Sequence, residues 1–288
     1  MTDLSTLLIT GLMSGLITGL AALAVTLVFG IARFANAATG DFMTLGAYVA
    51  LSVAAATGSL LVGGAAGIVA AMLVAVAFYV LVFRRLAGRS SVTALLASIG
   101  VGFIVRAGLG LAYGYQQRVF PVPLVRPWRP FGIRVLPIDL QLAALALATL
   151  AIVFLVLHAT PVGRRMRAVA DDPALAQVSG VEPARVMVTL WAMAGAAAAV
   201  AGLMVGIKTV VQPELGWSVL LPAFTAAILG GIGSPVGAVV AGLLLGVVQE
   251  LSTPFVGFTY KLAVVFLVLL LVLLVRPSGL FGRRERLR

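Results

Sequence analysis

Gly163 to Arg185 reads GRRMRAVADDPALAQVSGVEPAR, and its polarity in a chain of apolar blocks decides what kind of fold surrounds it. Asp172-Pro173 has the form of an N-cap followed by proline at the first helical position, where a missing N–H costs nothing. Gly180 stands where a C′ glycine ends a helix. Ala174 to Ser179 between them make roughly two turns, too short to be stable alone in water. Leu175 and Val178, three apart, share one face. The spacing predicts a short helix held outside a membrane, marked by Asp172, Pro173, Ala174, Leu175, Val178 and Gly180, with an apolar knob that needs a surface. That surface is either another protein, which would drive a membrane pore through the helix, or the lipid headgroup layer, with Arg164, Arg165 and Arg167 serving as topology charges.

The rest of the chain fixes the setting. Of its 288 residues, 62% are hydrophobic and 10% charged, and the mean hydropathy is +1.17. No soluble domain of this length has that balance, so the expectation is an all-α, polytopic membrane bundle forming one domain over residues 1–288. The absence of cysteine excludes disulfides, thiolate metal sites and cysteine nucleophiles. A single histidine, His158, excludes a histidine metal cluster. The net charge of +11 invites a nucleic-acid reading, but the arginines sit in short loops and the tail, where topology charges belong, so no nucleic-acid partner is expected.

Taken in order, the apolar blocks give eight or nine spans. Leu4 to Phe29 carries Gly11, Gly15 and Gly19 at four-residue spacing, a smooth face suited to close helix packing or to lining a pore. Further spans run over Asp41–Thr57, Leu60–Phe83, Ser91–Ala112, Asp139–His158, Val186–Ile207 and Tyr260–Val275. Arg84, Arg85 and Arg89 mark a cytoplasmic loop, and Arg276 with the arginines of the tail places the C-terminus inside. Alternation then puts the N-terminus outside. Arg106, near the outer end of its span, is expected to snorkel to the interface, the alternative being a buried functional arginine. The Tyr113–Pro137 loop, with Arg118, Arg126, Arg129 and Arg134, falls outside and offers a docking surface for an acidic soluble partner. Lys208 to Gly216 reads as a short external loop.

Two interruptions stand out. Gly30 to Gly40 breaks the first apolar run with Arg33, Asn36 and Thr39, and Asp41 follows where the next helix starts. Trp217 to Glu250 is too long for one span and breaks at Gly230-Gly231-Ile232-Gly233-Ser234-Pro235-Val236-Gly237, leaving two arms of roughly fifteen residues, just under spanning length. Non-helical backbone at membrane depth is tolerated only beside protein or a water-filled cavity. Paired broken segments are the best sequence pointer to a transport site; the alternative is a pair of ordinary turns. The candidate pathway residues are Asn36, Thr39, Asp41, Thr225, Gly230, Gly231, Gly233 and Ser234.

Chemistry that is missing narrows the function. No G-x-x-x-x-G-K-[ST], H-E-x-x-H or G-x-S-x-G is present, and no close carboxylate pair lies within a span. An intramembrane enzyme is poorly supported. Asp41 and Glu250 are the only ionisable groups that would suit a proton- or sodium-coupled carrier, and both lie near span ends. The energy for transport then comes from another subunit, or the chain is a channel.

Four segments carry a resemblance: Asn36 to Tyr48 (NAATGDFMTLGAY), Gly163 to Gly180, Ala223 to Gly246, and Arg276 to Gly282 (RPSGLFG). In order and spacing the chain resembles, over nearly its whole length, the LivH-type permeases of bacterial high-affinity branched-chain amino acid ABC transporters. The resemblance implies a multi-pass inner-membrane permease that works with a second, LivM-like permease, two cytoplasmic ATPase subunits and a periplasmic substrate-binding protein. ATP and magnesium would sit on the ATPase subunits, leaving this chain without a cofactor. It also implies that Asp172 to Gly180 is the coupling helix that contacts the ATPase. Where the family commonly has Asn-Phe-Ala-His-Gly-Glu, this chain has Asn36-Ala37-Ala38-Thr39-Gly40-Asp41. The resemblance therefore leaves open urea, short amides and aromatic acids, which relatives carry, beside branched-chain amino acids. A stand-alone channel or secondary carrier, and a membrane-embedded enzyme, are the readings from other classes.

Overall fold

The computed structural model describes residues 4–122, 128 and 136–282. In chain order the helices are α1 (Leu4–Ala32), α2 (Thr39–Thr57), α3 (Leu60–Leu81), α4 (Ser91–Tyr113), α5 (Pro137–Ala159), α6 (Pro161–Asp171), α7 (Pro173–Val178), α8 (Pro183–Lys208), α9 (Leu215–Gly230), α10 (Pro235–Val256) and α11 (Lys261–Val275). Among the described residues, eight helical stretches are long and apolar enough to cross a membrane, and α9 is a shorter apolar ninth. At about 1.5 Å per residue α9 spans roughly 24 Å, short of a hydrocarbon core of about 30 Å. Among the described residues there is no strand, and Arg118 and Val211 form an isolated antiparallel bridge.

Local sequence explains the helix starts. Ser59, Ser90, Thr160 and Ser234 cap α3, α4, α6 and α10 with side-chain oxygens that accept a backbone N–H. Proline stands in the first turn of α5, α6, α7, α8 and α10, where its ring presets φ and no N–H is lost.

The centre is built from α1, α2 and α8, whose membrane windows are 72%, 67% and 72% buried, against 22% for α5 and 6% for the last span. Trp191 of α8 is fully buried and gathers Phe83 at 4.6 Å, Tyr79 at 6.0 Å and Phe34 at 6.4 Å. Gly11, Gly15 and Gly19 settle as a packing face. A Cβ on Gly11 would lie 2.9 Å from Val247 Cα and one on Gly15 2.8 Å from Leu243 Cα, while Gly242 and Gly246 of α10 press back on Gly19 and Gly15. This face is filled by α10, so it lines no pore.

The bundle has two chemically distinct ends. At the arginine end, the exits of α1, α3, α6 and α11 meet the starts of α4 and α10. Phe34 stacks on Phe83 at 5.3 Å, Ser91 Oγ donates to Arg33 O, and Gly233 lies against Gly30. At the opposite end, Lys208 Nζ is 3.0 Å from Asp139 Oδ1 and Arg118 pairs by backbone with Val211. Arg118 also donates to Tyr113 O at 2.8 Å. Arg126, Arg129 and Arg134 lie outside the described residues.

Candidate functional site

The polar stretch at the arginine end folds as the capping signals dictate. Asp172 Oδ1 accepts from Ala174 N at 2.8 Å and Leu175 N at 3.0 Å. Gly180 adopts φ +83°, and Val181 N donates back to Ala176 O at 3.0 Å, closing α7. Leu175 and Val178 are 65% and 88% exposed, an apolar pair with nothing on it. α6, which carries Arg164, Arg165 and Arg167, is an addition to the sequence reading, although Thr160-Pro161 carries the same cap-and-proline signal.

From α6 a direct link runs to the first break. Arg33 Nη2 donates to Ala170 O, one residue before the end of α6, at 3.1 Å. Arg33 has φ +56°, a left-handed conformation unusual for a residue with a Cβ. The chain then runs non-helically to Ala38, and every bond it makes is local or to α4. Ala37 N donates to Ser98 Oγ at 3.0 Å, Ala38 N to Asn36 Oδ1 at 3.2 Å, and Thr39 Oγ1 to Asn36 O at 2.9 Å. Asn36 and Thr39 are 1% and 2% exposed.

Beyond the break lies the charged heart of the bundle. Arg106 Nε and Nη2 each stand 3.0 Å from Asp41 Oδ1. By helix rise, Arg106 sits roughly 22 Å along α4 from Ser91 and roughly 10 Å short of Tyr113. Its side chain is 17% exposed and that of Asp41 3%. The expectation that Arg106 snorkels is corrected: a carboxylate one helix away satisfies it at depth, so it has no need to reach the interface. The Arg106 guanidinium also lies 5.1 Å from the Trp217 ring and 5.5 Å from the Phe103 ring. Trp217 belongs to α9, whose first turn meets that of α2. Gly216 N donates to Thr44 Oγ1 at 2.9 Å, and a Cβ on Gly40 would stand 2.9 Å from Gly216 O. The stretch Lys208–Gly216 is thus more than an external loop: it returns the chain to the level of Gly40 and starts a short helix there.

The second break is placed at the arginine end. Ser234 Oγ caps α10 by accepting from Gly237 N at 3.2 Å. Leu280 N and Phe281 N donate to Leu229 O and Gly230 O at 2.8 and 3.1 Å. Gly231 has φ +101° and has no room for a side chain beside Gly282. Two of the segments that carry the resemblance, Ala223–Gly246 and Arg276–Gly282, therefore hold each other. Thr225 Oγ1 donates to Leu221 O within α9. So the structure groups Asn36, Thr39 and Asp41 with Ser98, Thr44, Arg106 and Trp217, and sets Gly230, Gly231 and Ser234 apart in a pinned turn. Between the two breaks lies an apolar cavity of about 110 Å³, bordered by Thr26, Phe29, Ala35, Phe224, Ile232 and Gly233.

Glu250, the other ionisable candidate, is paired as well. Lys261 Nζ donates to both its oxygens at 2.8 Å. Among the described residues no group of acidic, histidine or cysteine side chains is arranged to hold a metal.

Spanning helices, buried charges that meet as pairs and one exposed apolar helix at an arginine-rich end define a multi-pass membrane transport subunit. The family model described as "Branched-chain amino acid transport system / permease component" matches residues 7–274, and the chain belongs to that family. It is the permease component of an ABC importer, a transport subunit and not an enzyme, and it works with other subunits of that transporter. The chain is 32% identical to the high-affinity branched-chain amino acid transport system permease protein LivH of Escherichia coli K12, over 96% of this chain and 94% of that one. It is 30% identical to the corresponding protein BraD of Pseudomonas aeruginosa, over 96% and 95%. A shorter match, 36% identical over 34% of this chain and 31% of the relative, is to the autoinducer 2 import system permease protein LsrD of Salmonella paratyphi B. A solved chain from PsaBC of Streptococcus pneumoniae in complex with Fab covers 93% of this chain and 91% of its own, at a TM-score of 0.49 and 12% identity.

Proposed function

We propose that residues 1–288 form one permease domain that moves branched-chain or related amino acids across a bacterial inner membrane. The solute is delivered by a periplasmic binding protein, and a second, LivM-like permease completes the membrane unit. Two cytoplasmic ATPase subunits hold ATP and magnesium. The arginine end, with the C-terminus, faces the cytoplasm, as the distribution of basic residues requires.

The observation that carries this reading is the continuous link from α7 to the first break. Leu175 and Val178 offer the ATPase an apolar knob, Asp172, Pro173 and Ala174 start the helix, and Gly180 ends it. Motion of α7 passes to the end of α6, and Arg33 ties that end to the segment leading to Asn36, Thr39 and Asp41. These three residues form one wall of the pathway, and the small cavity beside Gly233 continues it toward the cytoplasm.

The test is Leu175→Asp with Val178→Asp. Both side chains are exposed outside the bundle, so insertion and expression are expected to stay normal while ATPase association and solute uptake are lost. Retained uptake would overturn the coupling assignment. A second reading, a permease of the same family for urea, an amide or an aromatic acid, is favoured by Ala37, Thr39 and Asp41 standing where the family commonly has other residues. An uptake panel with a matched binding protein separates the two.

A further inference from the structure

We propose that Arg106 is the residue that reads the carboxylate of the transported solute, and that Asp41 takes the solute's ammonium as the two part. This rests on the amino-acid transport reading and adds a binding pair to it.

The pair is incompletely made for a purely structural one. Arg106 directs two nitrogens at a single oxygen, Asp41 Oδ1. The strongest arrangement of these groups is a fork on a fork, two parallel bonds to two oxygens. Asp41 Oδ2 points instead over Gly102, where any side chain would overlap it. Glycine at that position gives Oδ2 the room to lie directly against α4. On the other side, Trp217 and Phe103 hold the guanidinium through its ring contacts, a mode that leaves the in-plane N–H donors available.

The pair also stands at an open edge. Phe103 is 60% exposed and Trp217 42%, flanking a guanidinium that is itself 17% exposed. A charged group at this depth is too expensive to face hydrocarbon and belongs on a protein or aqueous surface. The edge of α4 and α9 is therefore the side turned to the pathway and the second permease.

The chemistry suits a zwitterion. An amino acid arriving between the two side chains offers a carboxylate to Arg106 and an ammonium to Asp41, so one ion pair becomes two. No bare charge is left at depth at any stage, which is what makes the exchange affordable in a site that strongly penalises an unpaired ion. Asp41 lies in the first turn of α2, where the helix offsets part of its charge while Arg106 turns away. A neutral solute has nothing with which to part the pair.

The experiment uses the complete transporter, with both permeases, ATPase subunits and binding protein, reconstituted in vesicles. Labelled leucine uptake and ATP hydrolysis are measured together. In Asp41→Asn with Arg106→Gln, which keeps a hydrogen-bonded pair and removes both charges, leucine moved per ATP hydrolysed is expected to fall at least tenfold. A variant damaged only in assembly loses both activities and keeps the ratio. A parental ratio in the double variant would overturn the inference while leaving the transport reading intact. A parental complex that moves no leucine would overturn both. Should the double variant not assemble, Arg106→Lys replaces it: a reduced ratio supports the inference and an unchanged one overturns it.

Discussion

The two breaks in the apolar blocks look alike in sequence and differ in kind. The second has more glycine, yet it is a turn at the end of the bundle. A serine caps its outgoing helix and the Arg276–Gly282 segment pins it by two backbone bonds. The first has fewer glycines and lies deeper, its backbone tied to Ser98 and to its own Asn36, with an ion pair one turn further on. Glycine content reports where the backbone turns tightly. Buried polar side chains and a charge with a distant partner are the features on which the proposed pathway rests.

That contrast makes its sharpest prediction at Arg106. Arg106→Leu strands Asp41 without a partner and is expected to cost about 3–5 kcal/mol, read as a lower unfolding midpoint in detergent. Adding Asp41→Leu should recover most of the loss, since an apolar pair needs no compensation; a double variant no more stable than the single would mean that the loss does not come from a stranded Asp41. The next largest effect belongs to Asn36→Leu, which removes the acceptor of Ala38 N in a buried segment. It is expected to cost about 1–3 kcal/mol and to lower uptake. The smallest belongs to the second break. Ser234→Ala removes the α10 cap at about 1 kcal/mol and should leave uptake at the parental rate. Uptake falling further in Ser234→Ala than in Asn36→Leu would reverse the comparison.

The parts of the molecule legible in sequence are those governed by nearby residues. Hydropathy located the spans because each buries itself in lipid by its own composition. Asp172, Pro173 and Gly180 defined α7 because caps act over three or four positions. The Gly11–Gly15–Gly19 spacing announced a packing face, although only the structure shows α10 upon it. What escaped depends on distant partners. Whether Arg106 snorkels or pairs is decided by Asp41, 65 positions away. The role of Gly216 is decided by Gly40 and Thr44, and the fixing of Gly230 by Leu280 and Phe281. The two arms around the second break are expected at roughly fifteen residues each; α9 has 16, but α10 has 22 because its helix runs on past Glu250 to Val256. One clue was available: an arginine inside a span invites a search for an acid in another, and Asp41 was already marked.

The glycine seam between α1 and α10 constrains how such a molecule can work. Where backbone meets backbone over several turns, there are no flexible side chains to act as bearings, and close-packed interfaces move between discrete states or not at all. α1 and α10 are therefore expected to move as one body, a keel for the rest of the bundle. The helix best placed to move against it is α4, which packs chiefly on α2, carries Arg106 on one arm and begins beside Arg33.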